Sequence, residues 1–83
     1  MYYVYILQSK KNQSLYIGYT TNLENRVAEH NSGKSQATRP FRPYELIYYE
    51  AFVNMKDAKS REEYLKSGWG RRTIGKMLKN YFS

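Results

Sequence analysis

Residues 2–20 read YYVYILQSKKNQSLYIGYT, and the reading of this stretch decides the fold. Residues 2–7 are β-branched, aromatic or aliphatic throughout. Lys10, Lys11 and Asn12 interrupt them with polar side chains, and residues 15–20 resume the β-favouring character. Two such runs around a short polar break predict a β-hairpin. Successive strand side chains point to opposite faces. Tyr3, Tyr5 and Leu7 therefore share one face of the first strand, and Val4 and Ile6 the other. On the second strand, Tyr16 and Gly18 lie opposite to Leu15 and Ile17.

Beyond the hairpin, Thr21 followed three residues later by Glu24 is a capping-box pattern. It predicts a helix through Leu23, Arg26, Val27 and His30, ending over residues 31–33. Residues 34–43 hold Lys34, Arg39, Arg42 and both prolines without one acid, and read as a basic loop. Residues 44–53 are dense in Tyr, Ile, Leu and Phe and predict a third strand, with Glu45 and Glu50 near its ends. A second helix is expected over residues 55–67, stopping at Gly68. A third is expected over 71–80, with Ile74, Met77, Leu78 and Tyr81 at i, i+3, i+4, i+7 spacing. The order ββαβαα, with no repeat and no linker, predicts an α+β fold. It should be one domain over residues 1–83, a small three-stranded antiparallel sheet flanked by helices.

Composition narrows the function classes. With 41% hydrophobic residues and ten tyrosines, the chain can build a core and is not a disordered basic tail. It has no Cys and one His, which excludes a disulfide scaffold and Cys-ligated metal centres. The metal chemistry left is that of a hard, oxygen-coordinated ion such as Mg²⁺. No apolar run is long enough to cross a bilayer, and the N-terminal stretch reads as a strand rather than a signal peptide. A cytoplasmic protein without a membrane partner is the expectation. The net charge of +7 points to a polyanion, nucleic acid before an anionic membrane surface.

Three polar residues fall where apolar ones belong. At about 100° per residue, His30 lies inside the stripe of Leu23 and Val27, with Arg26 on its border. On the second helix Glu62 projects between Met55 and Ala58. A lone core His bonded to a carbonyl, a solvated Glu at a stripe edge and a surface Arg–Glu pair are each ordinary explanations. Tyr5 and Tyr16 taken singly are ordinary sheet fillers. The coincidence of these groups around one small sheet is what requires explanation, because buried charge persists only when paired, hydrogen-bonded or bound to metal.

The segments YVYIL, LYIGYT and NLENRVAEHNSG resemble the GIY-YIG nuclease superfamily, in particular its small stand-alone single-domain members. Tyr3-Val4-Tyr5 and Tyr16-Ile17-Gly18 stand at the two name-giving triplets. The family's Arg and His, one helical turn apart, fall on Arg26 and His30. Its metal-binding Glu, within an Arg-Glu-x-x-x-Lys pattern, falls on Glu62 between Arg61 and Lys66. Tyr3 replaces the first Gly, and no Lys follows the second triplet, where some repair nucleases carry one. Asn80 is the one candidate for an Asn that helps order the site in some members.

The resemblance implies a metal-dependent endonuclease that hydrolyses phosphodiester bonds of DNA. RNA and branched or single-stranded DNA are further candidate substrates. Glu62 would hold one Mg²⁺ or Mn²⁺, and no small-molecule cofactor is implied. Arg26 would offer its planar fork to the phosphate. Tyr5 would act as general base, its hydroxyl acidified by nearby cations. Tyr16 and His30 would orient the set, or His30 would relay the proton. Lys34, Arg39 and Arg42 in the loop, with Arg71, Arg72, Lys76 and Lys79 near the C-terminus, are the expected phosphate contacts, and exposed Tyr or Trp69 side chains the expected base-stacking groups. No major-groove reading element is evident, so little sequence specificity and a structure- or repair-related role are expected. The alternative is a non-catalytic nucleic-acid-binding module of the same fold. The complete set of Tyr5, Tyr16, Arg26, His30 and Glu62 argues against it.

Overall fold

The hairpin forms in the register that places Tyr5 opposite Gly18 and Leu7 opposite Tyr16, in a computed structural model describing residues 1–83. Strand β1 (Tyr2–Ser9) and strand β2 (Leu15–Thr20) are antiparallel. The buried Ser9 hydroxyl organises their turn by accepting from the Lys11 and Asn12 N–H groups, at 3.0 and 3.2 Å. Strand β3 (Tyr44–Phe52) pairs antiparallel on the other side of β1, giving the order β2-β1-β3. Its register shifts by one residue opposite Ile6 and Leu7.

The central place of β1 explains its unbroken apolar run: Val4, Tyr5, Ile6 and Leu7 are all buried because both faces of the sheet are covered. On one face Val4, Ile6 and Ile17 pack with Ala58, Leu65 and Ile74, from helices α2 (Met55–Lys66) and α3 (Gly68–Met77). On the other, Tyr5, Leu7 and Tyr44 pack with Tyr16, Leu46, Leu23 and Val27, the last two from helix α1 (Leu23–Ser32). The expected split of β1 into a Tyr3-Tyr5-Leu7 face and a Val4-Ile6 face therefore places two separate cores. Burying each large apolar side chain contributes about 1.5–3 kcal/mol. No helix is long and apolar enough to cross a membrane.

Three boundaries differ from expectation. Helix α1 is capped by Asn22, whose side chain accepts from the Asn25 N–H at 3.1 Å, so Thr21 is not the cap. The Thr20 hydroxyl accepts from the Asn22 N–H and fixes the entry to the helix one residue later. Glu24 still lies in the first turn, where the helix dipole favours an acid. Second, Gly68 opens α3 rather than ending α2. Ser67 donates to the Tyr64 carbonyl at 2.6 Å and accepts from the Gly70 N–H at 3.1 Å, so one side chain closes the first helix and starts the next. Third, α3 ends at Met77, and a separate short helix α4 (Lys79–Phe82) follows, tied to the hairpin by a hydrogen bond from the Tyr81 hydroxyl to Gln8.

Candidate active site

On the α1 face of the sheet, Tyr5, Tyr16 and His30 form one aromatic cluster. Ring centroids lie 4.9 Å apart for Tyr16 and His30, 5.8 Å for Tyr5 and His30, and 6.4 Å for Tyr5 and Tyr16. Tyr5 and His30 are about 1% exposed. The Tyr5 ring crosses its β2 neighbour Gly18, and a Cβ at Gly18 would collide with the Tyr5 hydroxyl. Glycine at this position leaves the space in which the phenol reaches the outer strand. The hydroxyl ends 2.9 Å from His30 Nε2.

The other imidazole nitrogen, Nδ1, lies 2.8 Å from the Thr38 hydroxyl, which is also fully buried and makes a long 3.5 Å hydrogen bond to the Ser35 carbonyl. Directing the Thr38 proton to Ser35 lets Thr38 accept from Nδ1–H. Nε2 is then the acceptor for Tyr5 O–H, and each donor in the chain has a partner. Thr38 is a candidate site residue that the sequence reading missed, since nothing in the sequence of its loop marks this hydroxyl as a partner of His30. Asn31, next to His30, holds the helix end to β3 by exchanging hydrogen bonds with the Tyr44 backbone, at 2.7 and 3.1 Å.

Arg26 and Glu62 bring charge to this cluster from two different helices. They act on the Tyr5 hydroxyl in opposite senses: Arg26 favours its ionised form and Glu62 disfavours it. Arg26 is half-exposed on α1 and pairs with Glu29 at 3.3 Å. On α2, Ala58 and Leu65 form the buried stripe, and Arg61 and Glu62 flank it on opposite sides, about 100° apart. Met55 is exposed and does not belong to that stripe. Arg61 turns to β3, where it binds both oxygens of Glu50, at 2.8 and 3.1 Å, while Tyr48 donates to the same carboxylate. On the other flank, Lys59 stacks over Tyr19 of β2, and Glu62 sits mostly buried with Lys66 at 3.0 Å. Arg61 thus clamps the far side of the helix that carries Glu62.

Burial pushes the Tyr5 hydroxyl above its ordinary value near 10, and Tyr16 adds to this; Arg26 only partly opposes them. The expectation that Arg26 acidifies Tyr5 is therefore corrected: desolvation wins over one half-exposed guanidinium. Burial and then Arg26 lower the pKa of His30 below 6.5, which keeps its imidazole neutral at neutral pH and able to accept a proton. For Glu50, burial alone would raise the pKa, but hydrogen bonds from Arg61 and Tyr48 hold it below the usual carboxylate value.

The basic residues divide into different settings. Arg39 donates from Nε to the Gly33 carbonyl at 2.8 Å, and the Arg42 guanidinium lies against Gly33, the left-handed cap of α1 at φ 87°. Both arginines therefore support the negative end of the α1 dipole as well as adding surface charge. Lys34 is exposed beside them, and Arg71, Arg72, Lys76 and Lys79 are exposed on α3 and α4. Asn80 is exposed on the terminal turn. A separate open groove of about 540 Å³, lined in part by Tyr3, Leu23, Val27 and Tyr49, contains none of the five expected catalytic side chains.

No group of three His or acidic side chains comes together anywhere in the chain. The donor set nonetheless fits a Mg²⁺-type ion. Such an ion is commonly held by one or two carboxylates, with water and substrate phosphate oxygens completing its shell. Glu62 offers one hard carboxylate, and its only hydrogen-bonded partner is the exposed Lys66 side chain.

A family model described as the GIY-YIG catalytic domain matches residues 1–74. A UPF0213 protein of Clostridium perfringens is 49% identical over 67 residues, covering 80% of this chain and 71% of the relative. Another, from Pediococcus acidilactici, is 46% identical over 82 residues, covering 95% and 82%. The solution NMR structure of a UPF0213 protein from Bacillus halodurans matches with a TM-score of 0.58 at 34% identity, over 93% of this chain and 85% of that one. The α+β sheet and helices expected from the sequence agree with that structural neighbour. This chain belongs to the GIY-YIG nuclease superfamily, among its small UPF0213 proteins.

Proposed function

We propose that the protein is a metal-dependent endonuclease that hydrolyses phosphodiester bonds of DNA, in a structure- or repair-related role with little sequence specificity. The observation that carries this reading is the buried Tyr5–His30 hydrogen bond, on a sheet face whose neighbouring helix α1 also carries Arg26. A buried phenol serving only as core filler needs one hydrogen-bond acceptor. It does not need that acceptor to be an imidazole held on its other nitrogen by a second buried hydroxyl, that of Thr38.

In this mechanism Glu62 would hold a Mg²⁺ or Mn²⁺ ion, which as a Lewis acid would polarise the phosphate and neutralise developing charge. Arg26 pairs with phosphoryl oxygens, giving up its contact with Glu29. Tyr5 takes the proton of the attacking water as its own passes to His30 Nε2, so no free phenolate has to form against the burial of the ring. Thr38 holds the Nδ1 proton of His30, and Tyr16 packs against the imidazole. Lys34, Arg39, Arg42, Arg71, Arg72, Lys76 and Lys79 supply salt-dependent attraction to the backbone.

The test is cleavage of a panel of single-stranded, duplex and branched DNA, with RNA alongside, with and without Mg²⁺. Metal-dependent cutting of at least one DNA is expected, and Glu62→Ala abolishes it while circular dichroism stays unchanged. Full activity in that variant would remove the metal role of Glu62. No cutting of any substrate would leave a binding module.

A further inference from the structure

The single tryptophan of the chain is placed on the surface. Trp69 is 70% exposed in the first turn of α3, and the Arg72 guanidinium lies over its ring, 5.2 Å from the centroid. At about 100° per residue, Trp69, Arg72 and Lys76 line the solvent face of α3, opposite the buried Gly70 and Ile74. Gly68 adds no side chain beside them, and an open pocket of about 340 Å³ is lined by Gly68, Trp69 and Arg72. Leaving an indole in water forgoes burial worth a few kcal/mol, and nothing in the packing of α3 requires Trp here.

We propose that Trp69, Arg72 and Lys76 form a stacking platform for an unpaired nucleotide, so that the protein engages single-stranded segments of its substrate. The inference rests on the reading that the substrate is DNA, and it names the class of DNA. The chemistry of the patch favours this occupant. After Glu63 the chain carries Lys66, Arg71, Arg72, Lys76 and Lys79 and no acidic residue, which matches a polyanion. A flat ring backed by a guanidinium is the surface on which an exposed base stacks, at about 1–3 kcal/mol per base. Bases inside a continuous duplex have no free face to offer, whereas single strands, flaps and frayed ends do. Trp69 follows three residues after Lys66, whose ammonium is hydrogen-bonded to Glu62, so the patch opens the helix next in sequence to the one that carries Glu62.

Because Trp69 is the only tryptophan, intrinsic tryptophan fluorescence reports on this surface alone. The wild-type protein is titrated in EDTA with oligothymidylate, an abasic strand of equal length, a closed circular duplex and anionic phospholipid vesicles. Oligothymidylate should quench the emission, while the abasic strand and the duplex leave it nearly unchanged. Trp69→Ala should weaken oligothymidylate binding by roughly 5- to 100-fold, and Trp69→Phe should retain most of it. No quenching by oligothymidylate, equal quenching by the duplex, or a response to vesicles alone overturns the proposal. Cleavage without quenching removes the platform and leaves the nuclease reading intact. Quenching without cleavage on any substrate keeps the platform and removes the nuclease reading.

Discussion

The Tyr5 hydroxyl and His30 Nε2 lie 2.9 Å apart inside the core, 25 residues apart in sequence, and this distance depends on the absence of a side chain at Gly18. Restoring even a methyl group there forces the phenol aside. Gly18→Ala is expected to lower kcat by about tenfold or more, with a stability cost of about 1–3 kcal/mol from overpacking. Cleavage kinetics and urea titration on the same preparation check this. Unchanged kcat would mean that the Tyr5 position is not critical.

Thr38 orients the imidazole from the side away from Tyr5. Thr38→Val keeps the shape and leaves Nδ1–H without a partner, at a cost of about 1–3 kcal/mol. The variant is expected to lose activity with a displaced pH–rate profile, and Thr38→Ser is expected to restore both. A profile that keeps its shape in Thr38→Val would reduce Thr38 to a packing residue.

His30 also sets a pH dependence of stability. Its folded pKa lies below the value near 6.5 of the unfolded chain, so the unfolded state binds more protons between the two. This contribution is fully present above pH 6.5 and declines as the pH falls toward the folded pKa. Thermal melts from neutral to mildly acidic pH should show Tm falling in wild type and a flatter course in His30→Gln. Parallel slopes would assign the acid sensitivity to other groups.

The Arg61–Glu50 pair predicts an effect at a distance from its own position. Both side chains are partly exposed, so solvent screening limits the loss in Arg61→Ala to about 1–2 kcal/mol. Releasing the β3 side of α2 should nevertheless disturb Glu62 on the opposite flank. The expected signature is a higher Mg²⁺ concentration for half-maximal cleavage, with partial rescue by Arg61→Lys. An unaltered metal requirement would confine the pair to stabilising the fold.

Much of this arrangement was legible before folding. The alternation in YYVYIL assigned Tyr5 and Leu7 to one sheet face and Val4 and Ile6 to the other, and both faces are buried as that pattern requires. His30 stood out as polar within an apolar stripe and is buried. The helix boundaries were less legible because caps compete locally: Asn22 displaced Thr21, and Ser67 turned Gly68 from a terminator into a first residue. Glu62 was expected inside the stripe, between Met55 and Ala58, and stands instead on its flank because Met55 lies outside it: helical periodicity does not show where the sheet beneath a helix ends.

Residue order alone determined the strands, the sidedness of their side chains and the surplus of positive charge, because these follow from backbone periodicity and composition. Only the tertiary structure decided which hydroxyl meets His30 on each side, which carboxylate Arg61 binds, and that burial outweighs Arg26 at Tyr5. The physical reason is that desolvation and hydrogen-bond partnership depend on neighbours brought together from distant positions in the chain. No local pattern around Tyr5 encodes that its proton should face a neutral imidazole.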